Sequence, residues 1–270
     1  MRILIGTSGF SYDDWRGTFY DPKLPKNKML EAYAEVFTAL ELNVTYYRTP
    51  SARTARSIVE RADGRLSFAI KAPGDTTHRG RLDRETIEPF QYFLEPFVES
   101  GTLAAILFQF PSSFQRNNNT EGFIDRAREI YSGAPMVVEL RNPTWDSVEV
   151  DEALAERGIS RAALDQPRVH GVSERERVAV TGPVAYFRFH GRNAEDWYVA
   201  EDSHARYRYR YCREELEPWV PRIQRASEKA RTTMAFFNNH PDGNAPKDAE
   251  ALAGMLNAPL RGGGYKDLFS

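Results

Sequence analysis

Eight polar residues sit at or near the ends of short apolar runs, and their types suit acid/base and anion-binding chemistry: Lys71, Glu139, Arg141, Asp165, Arg188, His190, Asn238 and Asn239. Glu139 and Asp165 form a candidate acid/base pair, and His190 can move a proton near neutral pH. Lys71, Arg141 and Arg188 suit a phosphate or carboxylate, the two arginines through a bidentate fork. Asn238 and Asn239 both donate and accept hydrogen bonds, which fixes the orientation of a ligand. The expected catalytic set is therefore Glu139, Asp165 and His190. The expected binding set is Lys71, Arg141, Arg188, Asn238 and Asn239, with His78, Tyr46 and Trp145 nearby. Each assignment has a structural competitor, because Glu139–Arg141 and Asp165–Arg188 can also be ion pairs that only hold the fold.

The elements that must position these residues are legible as buried strands. The stretch 134–145 is the clearest: an apolar run carries Glu139 inside it and meets Arg141, Asn142 and Pro143 at its end. Such a run reads as a buried strand whose last residues emerge into a polar site. Similar runs cover 3–7, 39–43, 66–71, 103–109, 159–164, 184–190 and 232–238. Strand parity places Glu139 with Arg141, and Arg188 with His190, on one face.

Helical patterns separate the runs: 28–37, 52–62 behind Ser51 as N-cap, 83–99 interrupted or restarted near Pro89 and Pro96, 120–131, 148–157, a helix through Leu216, Trp219, Ile223 and Ala226, and 249–256. The connection 166–182 shows little pattern, so no full helix is expected there. Eight strand candidates alternating with helices predict an α/β protein, a TIM barrel of (β/α)8 type with an irregular connection between strands six and seven. A doubly wound sheet gives a similar local pattern, but it gathers its chemistry at one switch point, whereas polar strand ends recur here in almost every unit. Residues 1–259 read as a single domain and 260–270 as a flexible tail.

Composition bounds the function. The chain has 270 residues, 41% of them hydrophobic, enough for a substantial core. Its formal charge of -2 gives no net basic surface, so nucleic-acid binding is not favoured. Only seven of the 36 basic residues are lysines. Cys212 is the only cysteine, which excludes an intramolecular disulfide and a thiolate zinc cage. No run is long enough to span a membrane, and residues 1–6 lack the apolar region of a secretory signal, so a soluble cytoplasmic protein is expected.

Other features carry weaker signals. Glu139, Asp165, His78 and His190 are conceivable metal ligands, but their spacing is not diagnostic, and no metal or cofactor is assigned. Tyr12, Trp15, Phe19, Tyr20, Tyr46, Tyr47 and Trp145 either stack on a planar ligand or pack the core. The stretch 207–211 alternates Tyr and Arg; on a helix, Tyr207 and Tyr211 would pack against the barrel. His170, His204 and His240 are poorer catalytic candidates, and Cys212, on an expected helix, is read as structural or incidental.

The motifs together resemble the DUF72 (YecE-like) family of uncharacterised TIM-barrel proteins, over nearly the whole chain. They are Gly6-Thr7-Ser8-Gly9-Phe10 with Trp15, Glu41-Leu42-Asn43 with Thr45-Tyr46-Tyr47-Arg48, Lys71-Ala72-Pro73 with His78-Arg79, Phe108-Gln109-Phe110-Pro111, Glu139-Leu140-Arg141-Asn142-Pro143-Thr144-Trp145, Arg188-Phe189-His190-Gly191, and Phe237-Asn238-Asn239. Phe10 and Asn142 stand where the family pattern has Trp and usually His. The resemblance implies a barrel but no reaction. The expectation drawn from the residues is an enzyme acting on a small anionic or phosphorylated substrate by acid/base-assisted hydrolysis. The alternative is a noncatalytic barrel module binding a metabolite or nucleic acid, and no protein partner is indicated.

Overall fold

Each apolar run becomes a strand buried on both faces, which is why the runs show so little alternation. The computed structural model describes residues 2–170, 178–197 and 205–261. Strands β1 (Ile3–Ser8), β2 (Ala39–Leu42), β3 (Ser67–Lys71), β4 (Leu103–Phe110), β5 (Met136–Leu140), β6 (Ser160–Asp165), β7 (Val184–Phe189) and β8 (Thr232–Phe237) pair in parallel and in chain order. β8 returns to β1, with Ile5 beside Ala235, and closes the barrel. Closure removes both sheet edges, so every strand has a paired neighbour on each side.

Helices cover the outside. They are α1 (Met29–Val36), α2 (Val44–Tyr47), α3 (Ala52–Ala62), α4 (Gly74–Thr77), α5 (Arg84–Glu99), α6 (Asn118–Ile130), α7 (Val148–Glu156), α8 (Arg213–Leu216), α9 (Trp219–Ser227) and α10 (Asn244–Leu256). Several start on side-chain caps: Ser51 accepts from the Thr54 amide at 3.3 Å and Asp83 from the Thr86 amide at 3.0 Å. The break expected near Pro89 and Pro96 does not occur, and α5 runs through both. Its buried stripe of Phe90, Phe93, Leu94 and Phe97 packs on the barrel wall, and that packing offsets the hydrogen bonds the prolines cannot make.

Two apolar layers result. Leu4, Leu107, Val137, Met234 and Phe236 fill the lower lumen, with Ala39, Ala69, Ala105 and Ala162 among them. Phe68, Phe108, Phe187 and Trp219 belong to the layer between strands and helices. Gly6 is required by the approach of β1 to β2: a Cβ there would lie 1.9 Å from the Ala39 carbonyl oxygen.

Between β6 and β7 no helix occurs among the described residues, and residues 171–177 of that connection lie outside them. The stretch 207–211 is not an α-helix. Tyr207 ends a short 3-10 turn, and Tyr209 and Tyr211 follow in irregular chain before α8, where Cys212 is the exposed N-cap residue. Of the expected tail 260–270, Leu260 packs against the core and the Arg261 amide donates to the Val36 carbonyl at 2.9 Å; residues 262–270, with His204, lie outside the described residues.

Candidate functional site at the barrel mouth

Above the apolar floor the lumen turns polar. Residues that share parity with the floor project Ser8, Glu41, Lys71, Gln109, Glu139, Tyr186 and Arg188 from the carboxyl ends of six strands. Arg141, His190 and Asn238 follow immediately beyond β5, β7 and β8. Six of the predicted residues, Lys71, Glu139, Arg141, Arg188, His190 and Asn238, therefore meet in one place, where barrel enzymes carry their chemistry.

Arg188 lies at the centre and is 1% exposed. Its Nε and Nη2 donate to the two oxygens of Glu41 at 2.9 and 2.7 Å, and its Nη1 donates to Glu139 Oε2. Ser8 and Tyr186 complete the shell of Glu41, donating to it at 2.7 and 2.8 Å. Burial alone would raise both carboxyls. The charge of Arg188 outweighs it and holds Glu41 below the ordinary range; with Arg141 added, Glu139 falls well below it. All three guanidinium nitrogens are engaged, so Arg188 is a strut across the lumen and has no fork to offer a ligand.

Arg141 and Lys71 differ from it. Arg141 reaches Glu139 through Nε at 2.6 Å, and its terminal nitrogens meet no hydrogen-bond partner among the described residues. Lys71, 9% exposed, makes no ion pair and no side-chain hydrogen bond among the described residues; its Nζ lies 4.0 Å from the centre of the Tyr46 ring. Burial, then the positive charges of Arg188 and Arg141, push the lysine down to about 7, against the opposing pull of Glu139 and Glu41.

His190 is fully buried. The Asn238 amide lies 3.0 Å from its Nδ1, and with that amide donating, Nε2 carries the ring hydrogen. Nε2 has no hydrogen-bond partner and stands 3.7 Å from Glu139 Oε1. Burial and then Arg188 lower the imidazole to about 4, so it is neutral at physiological pH.

Asp165, Asn239 and Trp145 lie elsewhere. In the β6–β7 register Leu164 pairs with Arg188 and Asp165 with Phe189, so Asp165 points out of the lumen. Its carboxylate accepts from Arg192 at 2.9 and 2.7 Å, from Tyr211 at 2.8 Å and from Trp219 at 2.8 Å. The expected Asp165–Arg188 pair is thus replaced by Asp165–Arg192, and the Glu139–Asp165 pair by two carboxylates on opposite faces of the sheet. That separation also disperses the conceivable ligand set Glu139, Asp165, His78 and His190. Asn239 donates to Asp248 at 2.7 Å and to the Tyr209 carbonyl at 2.9 Å, tying β8 to α10. Trp145 is buried, with its indole nitrogen donating to the Phe114 carbonyl at 2.7 Å.

The rim is aromatic only in part. Trp15, Phe19 and Tyr20 are packed in the core. Tyr46 meets the exposed His78 edge-on at 5.0 Å, and both line a cavity of about 290 Å³ with Tyr47 and Arg79. Tyr12 stacks on His240 at 4.4 Å and donates to the Ser8 carbonyl, near the lumen entrance.

A family model described as "Protein of unknown function DUF72" matches residues 4–264. The chain belongs to the DUF72 family. A DUF72 family protein from Thermotoga maritima MSB8 superposes with a TM-score of 0.87 at 35% identity, over 95% of this chain and all of the other. One from Enterococcus faecalis V583 gives 0.85 at 25% identity, over 95% and 96%. The UPF0759 protein YunF of Bacillus subtilis (strain 168) is 27% identical over 275 residues, 96% of each chain. A xylose isomerase domain containing protein from Salmonella typhimurium LT2, at 14% identity and a TM-score of 0.51, shares the barrel fold alone.

In this DUF72 chain Asn142 does structural work: its Oδ1 accepts from the Thr144 amide at 3.0 Å and hydroxyl at 2.7 Å, and its amide donates to the Ser112 carbonyl. Glu41 is the residue that sequence reasoning missed. Its signal was the one that marked Glu139, a single carboxylate inside a buried apolar run.

Proposed function

We propose that the barrel mouth binds a small anionic metabolite between Lys71 and Arg141 and performs acid/base chemistry on it. The observation that carries this reading is the difference among the three mouth cations. Arg188 is fully committed to Glu41 and Glu139, whereas Lys71 and the terminal nitrogens of Arg141 face the same lumen with hydrogens to donate. Three cations against two carboxylates leave the mouth with a positive excess when Lys71 is protonated, which favours an anion.

The acid/base role falls to Lys71, whose amine titrates near neutral pH, while the neutral His190 offers a hydrogen bond through Nε2, which lacks a partner. Glu139 is held ionised by two arginines and is a weak base. The hydrolytic scheme built on two carboxylates loses its second member, because Asp165 faces away.

A thermal-shift titration with inorganic phosphate, lactate and pyruvate tests the binding half of this reading. A rise in Tm is expected for at least one of them, and it should disappear in Arg141→Ala and shrink in Lys71→Met. A shift that persists unchanged in both variants would move the anion to another surface.

A further inference from the structure

We infer that Lys71 is a nucleophilic amine that forms an imine with a small 2-oxo acid whose carboxylate lies against Arg141. The inference rests on the anion site proposed above and names its substrate class. Three observations support it. Lys71 is the one buried lysine among the described residues, standing at the end of β3 and facing the lumen. It lacks the carboxylate partner that a buried ammonium ordinarily needs, and is covered by the face of Tyr46. The two lumen carboxylates are engaged by arginines, Glu41 by Arg188 and Glu139 by Arg188 and Arg141.

A lysine desolvated beside other cations loses its proton readily, and the free amine is the nucleophile of imine chemistry. The lowering of Lys71 to about 7 agrees with that placement. Arg141 supplies a planar fork suited to a carboxylate, which selects a carbonyl compound with an acid group beside it. The lone pair of Nζ adds to the carbonyl carbon as the C=O π bond opens. The oxygen departs as water carrying, in the net, the two hydrogens of the amine, and a C=N bond remains. No oxidant or reductant is needed. His190, neutral and with its hydrogen on Nε2, can donate a hydrogen bond to the departing oxygen without giving up its proton.

The test is borohydride trapping with pyruvate at pH 7 to 8, read by intact mass and peptide mapping. The reduced adduct is expected on Lys71 in preference to the other lysines, absent from a folded Lys71→Arg protein, and at least about tenfold weaker in Arg141→Ala and with acetone in place of pyruvate. An adduct absent from Lys71, or no stronger there than on surface lysines, overturns the imine.

Labelling of Lys71 with trinitrobenzenesulfonate, with and without lactate, separates the two readings. Protection by lactate without a pyruvate adduct keeps the anion site and removes the imine. Trapping equally strong with acetone keeps the amine chemistry and removes Arg141 as the anion's partner. Neither protection nor adduct removes both.

Discussion

Arg188 and Glu41 join through two parallel hydrogen bonds, Nε to Oε2 at 2.9 Å and Nη2 to Oε1 at 2.7 Å, although β7 and β2 are not neighbours in the barrel. With Nη1 on Glu139, one side chain ties three strands across the lumen. The geometry is bidentate and both partners are removed from water, so each charge depends on the other for solvation.

Glu41→Ala is therefore expected to destabilise the fold by about 3–5 kcal/mol in urea denaturation, the range for breaking a buried pair. The double variant Glu41→Ala with Arg188→Met should cost less than the sum of the two single changes, since it also removes the stranded cation. Strict additivity would mean that the two side chains do not stabilise each other.

Asp165 should behave as a structural residue. Asp165→Ala strands the buried donors of Tyr211 and Trp219, while Arg192 keeps Glu215, and is expected to cost about 2–5 kcal/mol. Any Tm shift produced by an anion should survive in the fraction that folds. Loss of that shift in a folded Asp165→Asn protein would return Asp165 to the site.

These two carboxylates show what the sequence made legible. Strand positions came from apolar runs, and parity then placed Glu139 with Arg141 and Arg188 with His190, because backbone geometry fixes side-chain alternation locally. The facing of Asp165 depends on the register of β6 against β7, which pairs it with Phe189, and no local pattern states a register. Likewise Arg188 looked like a ligand fork because its partners lie on β2 and β5, 147 and 49 residues away in sequence. Glu41 carried the right local signal, an acid inside an apolar run; only closure of the barrel shows which cation it meets.

His190 gives a pH signature. Its ring titrates at about 4 in the fold, chiefly through burial, and near 6.5 when unfolded. Between those values the unfolded chain binds more protons, so the contribution is fully present above pH 6.5 and is lost as pH falls toward 4. It amounts to about 3 kcal/mol at most. Urea midpoints of the wild type should fall more steeply than those of His190→Gln between pH 7 and 4.5, and equal slopes would place the imidazole in contact with water.

Lys71 shifts stability in the alkaline direction. Its amine titrates at about 7 in the fold, through burial first and then Arg188 and Arg141, against roughly 10.4 in the unfolded chain. Below pH 7 both states are charged, and the fold bears the whole cost of a buried, unpaired cation. From pH 7 to 10.4 the unfolded chain binds more protons, so this cost is relieved as pH rises. Lys71→Met keeps the length of the side chain and removes the charge. It should stabilise the protein at pH 6 by up to about 5 kcal/mol, with the gain shrinking by pH 9.5. Parallel stability curves for the two proteins would show that Lys71 keeps its charge throughout this range. A neutral-pH nucleophile would then have to be sought elsewhere in the mouth. A stabilising substitution at the residue proposed to react would instead mark a position where the fold carries strain that only function explains.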